Sequence, residues 1–245
     1  VKLFCVIAFH YEEKRLENFY NTYKNLSSIP DIHIVVDSNV RFDNDIQINC
    51  YDLSDPYYLT WQHKNYMPTF SKTNFTHFAY LEGNLNVLET TFKYWTTTRE
   101  LFKRNNLNFI PAVHRVQIGK DGELYSLDCT KKPINRPIVT VENQKFISLF
   151  EPYQGMFIMD QEMVEEHITS NYFKIGQKGW YGIRESANLG NMYINVPGGY
   201  EHRALLPINN LSDCCVVHYG TEYHSDPLSP HGKIKLNELL DASKN

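Results

Sequence analysis

Glu82 and Asn84 stand two positions apart behind an apolar run, with only Gly83 between them. Two oxygen-bearing side chains so spaced at a strand end can face one cation. Hard divalent ions such as magnesium or manganese take oxygen ligands and bridge diphosphates. A glycine between them lets backbone come close to a ligand. A strand-to-helix turn accounts for the same three residues, with glycine at the bend and Asn or Glu as a cap. Both readings stay open at this point. His10 and Asp37 each close an apolar run of their own, as Glu82 does.

Such residues need strands behind them. Residues 2–9 form a β-branched and apolar run that reads as a buried strand. Residues 12–27 follow as a helix, with Leu16, Phe19, Tyr20, Tyr23 and Leu26 on one face. Residues 32–36 read as a second buried strand, 46–51 as a weaker third, and 76–81 as the strand that leads into Glu82. This order predicts an α/β fold with a mixed, mostly parallel central sheet flanked by helices. Ligands of open α/β sheets bind outside the carboxyl ends of the strands. His10, Asp37 and Glu82 are therefore expected to converge, with the backbone of Ala8 and Phe9 beside them.

Further along, residues 60–72 read as helix or loop, and 86–104 as a helix with Leu88, Phe92, Trp95 and Phe102 on its stripe. Residues 109–117 and 123–127 flank a Gly-Lys-Asp-Gly turn and predict a small β-hairpin. A proline-bearing loop over 131–137 comes next. A strand over 155–159 leads into a helix over 160–171 that Asp160 caps. A late strand over 213–219 and a helix over 233–242 complete the reading. With no repeat, low-complexity segment or linker, one domain is expected over 1–245, its nucleotide-binding half ending at 105 and a mixed half running from 106.

Composition narrows the function. The net charge is −4 and no long basic run occurs, which excludes an extended nucleic-acid surface. The apolar stretches fall well short of the about 18 residues that a membrane span needs. The first residues lack the ordered parts of a signal peptide. The five cysteines include no Cys-x-x-Cys pair, and Cys5 and Cys215 sit inside apolar runs. Free thiols and a cytoplasmic, reducing setting are expected. The 17 Tyr and 14 Phe suit a sugar-binding cleft, although Asn/Lys/Tyr-rich codon usage gives the same enrichment.

Phe78-Ala-Tyr-Leu-Glu-Gly-Asn-Leu resembles the strand-plus-acidic motif of GT-A glycosyltransferases, where Asp-x-Asp or Glu-Asp-Asp is usual. Three more segments follow that family's order: Thr60-Trp-Gln-His-Lys, Pro152-Tyr-Gln-Gly-Met-Phe-Ile-Met and Trp180-Tyr-Gly-Ile-Arg-Glu. The resemblance implies a nucleotide-sugar-dependent, hexosyltransferase-like enzyme with a UDP- or GDP-linked donor and a glycan acceptor. It implies manganese or magnesium near Glu82 and Asn84, with His218 as a third ligand at the end of Cys214-Cys-Val-Val-His. Nucleotide contacts would come from Ala8, Phe9, His10, Asp37, His63 and Lys64. Gly155, Trp180 and Arg184 would lie near the sugars, and Glu185 would be the general base of an inverting transfer.

The sequence departs from the family where Gly83-Asn84 stand in place of two acids. An amide carries no charge, so metal affinity falls and the ion becomes weak or dispensable. Plainer readings remain for several residues. Glu185 could belong to an Arg–Glu pair at a helix start, His218 could be a polar strand end, and His63 and Lys64 could be solvated. A non-catalytic nucleotide- or sugar-binding module is the alternative function. A nucleotidyltransferase fits less well, because Phe9-His-Tyr-Glu-Glu-Lys-Arg lacks the Gly-rich loop expected there.

Overall fold

The run that opens the chain forms the strand Leu3–Phe9, buried along almost its whole length. A strand with both faces covered reads as a continuous apolar run, and that is what a parallel sheet between helices requires. In the computed structural model the described residues are 1–179, 181–220 and 222–240. The chain forms two compact units. The first is Val1–Leu85 with Gly155–Ile194, and the second is Asn86–Gln154 with the described residues from Asn195 onward. The expected halves met at 105/106, whereas the first unit takes its last segment from beyond that point.

The sheet of the first unit runs Met156–Asp160, His77–Glu82, Leu3–Phe9, Ile32–Ser38, Ile48–Cys50. Met156–Asp160 is antiparallel to its neighbour and the other pairs are parallel. This is the mixed, mostly parallel sheet of an α/β fold. The expected helix over 12–27 is a 3-10 turn, Glu13–Arg15, followed by the α-helix Leu16–Ser27, which buries Phe19, Thr22 and Leu26. Phe19 stacks on Phe9 at 4.5 Å between centroids. The ambiguous 60–72 segment is a 3-10 helix, Pro56–Asn65, and a short α-helix, Met67–Phe70. Asp160 caps Gln161–Thr169 by accepting from the Met163 N–H at 2.8 Å, as expected.

In the second unit the helix Glu89–Arg104 begins later than the expected 86. Leu88 is not on its buried stripe. It stands at the N-cap with extended backbone and is 48% exposed. Phe102, Phe109, Phe146 and Leu205 share a hydrophobic cluster. One sheet runs Ile110–Pro111, Ala204–Pro207, Gln144–Ser148, Ile138–Val141. The expected hairpin is present as His114–Ile118 against Leu124–Ser126, turned at Gly122 with φ +80°. Its first limb is shorter than predicted, because Ile110–Pro111 pairs instead with Ala204–Pro207. The late strand is Cys215–His218 behind a 3-10 turn, Leu211–Cys214. The expected 233–242 helix is a short strand, Ile234–Lys235, then Leu236–Leu239, and its last two positions lie outside the described residues. All five cysteines are free. No helix among the described residues is long and apolar enough to cross a membrane.

Candidate active-site cleft

The register of the first sheet sets one row of side chains across its carboxyl edge. Ala8 pairs with Glu82 on one side and Asp37 on the other, and Asp37 pairs with Asn49. Paired residues of adjacent strands project to one face. Glu82, Ala8, Asp37 and Asn49 therefore share a face, and the Ala8 methyl leaves room between two carboxyls. The Pro56–Asn65 helix packs against Leu3–Phe9 and Ile32–Ser38. Its start is fixed by Pro56 in the first turn and by Asp55, whose carboxylate accepts the Tyr57 N–H at 2.8 Å.

A cleft of about 380 Å³ opens at this edge. Ala8, Phe9 and His10 form one wall, and Glu82, Gly83 and Asn84 another. Tyr57, Leu59 and Thr60 contribute from the 3-10 helix, and Arg184 from the helix Ile183–Leu189. Six of the residues singled out in the sequence thus meet here: Ala8, Phe9, His10, Glu82, Asn84 and Arg184. Two that were not singled out join them. Arg15 and Glu12 line the cleft and pair with each other at 3.4 Å. The Glu12 carboxyl is held below its ordinary range chiefly by a hydrogen bond from Lys14, against an opposing effect of burial, with further help from the charges of Arg15, Lys14 and His10. The signal for Arg15 was its position six residues past the first strand, at the start of a helix that packs beneath that strand's end.

Gly83 answers to packing. A Cβ there would lie 3.0 Å from Phe9 Cδ2, 3.1 Å from Phe9 Cβ and 3.3 Å from Phe19 Cδ2. Its N–H donates to the Ala8 carbonyl at 3.0 Å. The glycine closes the turn against the helix Leu16–Ser27, which is the turn reading of Glu82-Gly83-Asn84. The cleft position of Glu82 and Asn84 keeps the ligand reading alive beside it.

Other expected contacts lie elsewhere in the first unit. Asp37 is fully buried and is not among the residues of the cleft wall. Its Oδ1 accepts the Tyr66 hydroxyl at 2.6 Å, and Asn49 Nδ2 donates to that same hydroxyl oxygen at 2.6 Å. Burial raises the Asp37 carboxyl to about 6, against the hydrogen bonds from Tyr66, Asn49 and Tyr51. Its Oδ2 is buried and has no hydrogen-bond partner among the described residues. His63 is a core residue. Its Nδ1 lies 2.6 Å from the Thr60 carbonyl, its ring packs on Tyr80 at 4.7 Å, and burial holds its pKa well below the ordinary value. Lys64 donates to the carbonyls of Tyr172 and Phe173 and lies over the Trp61 ring at 4.2 Å. Burial, with Lys178 as a smaller contributor, lowers it to about 7. Neither His63 nor Lys64 is a solvated loop residue.

Gly155 has φ +62° and its carbonyl accepts the Glu82 N–H at 3.1 Å, so it supports the acidic strand from beneath. Trp180 lies outside the described residues. Glu185 sits in the first turn of Ile183–Leu189. Its Oε1 accepts from Arg184 Nε at 3.0 Å and Nη2 at 2.8 Å, the Arg–Glu pair that the sequence left open. Its Oε2 lies over Gly182, where a Cβ would stand 2.6 Å away.

His218 belongs to the second unit, buried at the end of Cys215–His218, with its ring 5.6 Å from that of Tyr223. Among the described residues no group of three or more His, Cys, Asp or Glu is placed to hold a metal ion.

A scan against protein-family models finds no match, and a search of curated proteins finds none. Among solved structures, the chain is similar to CMP:2-keto-3-deoxy-manno-octonic acid synthetase complexed with CTP at a TM-score of 0.40 and 10% identity, over 73% of this chain and 80% of that one. It is also similar to S. aureus TarS at a TM-score of 0.42 and 9% identity, over 91% of this chain. It spans 37% of the TarS chain. Likenesses this distant carry nothing about activity.

Proposed function

We propose that the cleft of the first unit binds a UDP- or GDP-linked sugar and that the protein transfers that sugar to a glycan acceptor. The observation that supports this reading is the meeting of His10, Arg15, Glu82, Asn84 and Arg184 at the carboxyl edge of one α/β sheet. Two guanidiniums at such an edge suit a diphosphate, because each presents a planar fork of donors. The backbone of Ala8 and Phe9 lies where a nucleotide would rest against the first strand.

Glu82 and Asn84 fit a divalent ion in part, as one carboxylate and one amide oxygen. Asn84 Oδ1 is buried, so ligation asks the amide to turn. Manganese or magnesium bound there would neutralise charge on the leaving diphosphate. Within the first unit, Glu82 and Asn84 are the residues that would hold it.

Glu185 acts in this reading as general base. As the acceptor hydroxyl oxygen bonds to the anomeric carbon, its proton passes to the carboxylate. The bond from that carbon to the diphosphate oxygen breaks with its electron pair on the leaving group. Arg184 orients the carboxylate and itself stands on the cleft wall. Glu185→Gln is expected to lower turnover about 10²- to 10⁴-fold with donor binding retained. Turnover equal to wild type would reject the base assignment.

A non-catalytic binding module on the same fold is the second reading. The Glu185–Arg184 pair and the amide at Asn84 favour it, since each removes negative charge that transfer would use. Under it, wild type and Glu185→Gln show the same background sugar release.

A further inference from the structure

The helix Glu89–Arg104 buries Phe92, Trp95, Leu101 and Phe102 on one side. On another side Thr90, Lys93, Tyr94, Thr97 and Thr98 fall at i, i+3, i+4, i+7 and i+8 and form a single stripe. An amphipathic helix commonly turns charged residues outward. Beside Lys93 this stripe carries hydroxyls, with Thr98 buried and the Tyr94 hydroxyl donated to the Ala112 carbonyl at 3.1 Å, and it forms one wall of a groove of about 580 Å³ within the second unit. The facing wall is made of amides: Asn143 and Gln144 from the turn into Gln144–Ser148, and Asn209 and Asn210 after Ala204–Pro207. A second depression of about 600 Å³ also reaches Asn209 and Asn210, so the surface continues past one ring's length.

The lining selects its ligand by elimination. Among the residues that line it, Pro207 is the one aliphatic and Tyr94 the one aromatic, and the rest of its apolar surface belongs to the stems of polar side chains. Lys93, Lys145 and Asp213 are its charges, and Lys93 is held by Glu89 at 2.9 Å, which is too little cation for a nucleic-acid strand. A peptide cannot add here as an extra strand, because Gln144–Ser148 is already flanked by Ala204–Pro207 and Ile138–Val141. Threonine hydroxyls and amides both donate and accept, and the alternation of donor and acceptor along a sugar ring needs such groups. We infer that this groove is a binding site for a neutral oligosaccharide, in the unit that does not carry the nucleotide cleft. The inference needs no transfer reaction.

The test is binding of the whole protein to an array of neutral and anionic oligosaccharides without nucleotide. Thr97 and Asn143 are exposed, so Thr97→Trp and Asn143→Ala are expected to fold, which thermal unfolding checks. Expected is binding to neutral glycans, lost at least about tenfold on filling the groove with Thr97→Trp and weakened about 3- to 10-fold by Asn143→Ala. Glu82→Ala leaves it unchanged. No glycan binding, or binding confined to anionic glycans, overturns the inference. So does binding that Thr97→Trp retains and Glu82→Ala removes, which would place it in the cleft. Loss of nucleotide binding alone touches the transferase reading and leaves the groove standing.

Discussion

The Cβ that Gly83 lacks would stand 3.0 Å from Phe9 Cδ2 and 3.1 Å from Phe9 Cβ. Gly83→Ala must push an aromatic ring of the core, and overpacking of this kind costs about 1–3 kcal/mol. Urea unfolding is expected to show that loss; an unchanged midpoint would mean that Phe9 and Phe19 yield freely. Asp37 gives a prediction with a pH signature. Its carboxyl is raised to about 6 when folded and lies near 3.9 when unfolded. The folded state holds the proton more tightly, so this contribution is full below about 4 and is lost as pH rises through about 6. Relative to Asp37→Asn, wild type is expected to lose up to about 3 kcal/mol between pH 4 and 7. Parallel pH profiles for the two proteins would contradict it. Glu82 and Ala8 were legible because a strand-end rule places them. His63 and Lys64 looked solvent-facing by residue type, and only tertiary packing reveals one against Tyr80 and the other on two carbonyls.

Among elements, the 3-10 helix Pro56–Asn65 carries Tyr57, Leu59 and Thr60 to the cleft, and its cap is one side chain. Asp55→Ala is expected to cost about 1 kcal/mol and to weaken nucleotide affinity more than the same loss elsewhere. Calorimetry on Asp55→Ala beside a distant variant of equal stability checks this, and equal affinities would detach the helix start from the cleft. Strands buried on both faces, Leu3–Phe9, Ile32–Ser38 and His77–Glu82, could be read from apolar runs. Ile138–Val141 and Gln144–Ser148 could not. The first is half exposed, and their turn rests on Glu142 at φ +53°, a residue with no turn signature. Ala204–Pro207 is short and ends in proline, which hides it among loop residues. The first limb of the hairpin reads too long because the apolar run Phe109 to Val113 leads without a break into His114–Ile118, and pattern alone cannot tell which partner each end takes.

For the molecule as a whole, the sequence suggested a divide at 105/106, but the chain leaves the first unit after Leu85 and returns at Gly155. Periodicity along a chain says nothing about which distant segment completes a sheet, so the return of Met156–Asp160 beside His77–Glu82 was beyond its reach. A consequence can be measured. Residues 1–105 alone lack that edge strand and the helix Gln161–Thr169, and are expected to unfold without a cooperative transition. Residues 1–85 joined by a short Gly/Ser linker to 155–194 restore them. The linker can be short because Glu82 N–H already bonds the Gly155 carbonyl at 3.1 Å. Cooperative unfolding of the 1–105 fragment would contradict this assignment.

The central claim is that the edge formed by Ala8, Glu82 and Arg184 receives a nucleotide sugar. Titration calorimetry of the whole protein against UDP- and GDP-linked sugars, with and without manganese, tests it most directly. The account predicts saturable binding of one donor class, weakened about tenfold or more by Arg184→Ala, as expected when a charge-assisted contact of about 1.5–3 kcal/mol is lost, and made less sensitive to manganese by Glu82→Ala. Absence of heat with every nucleotide and nucleotide sugar, with or without the metal, would contradict it.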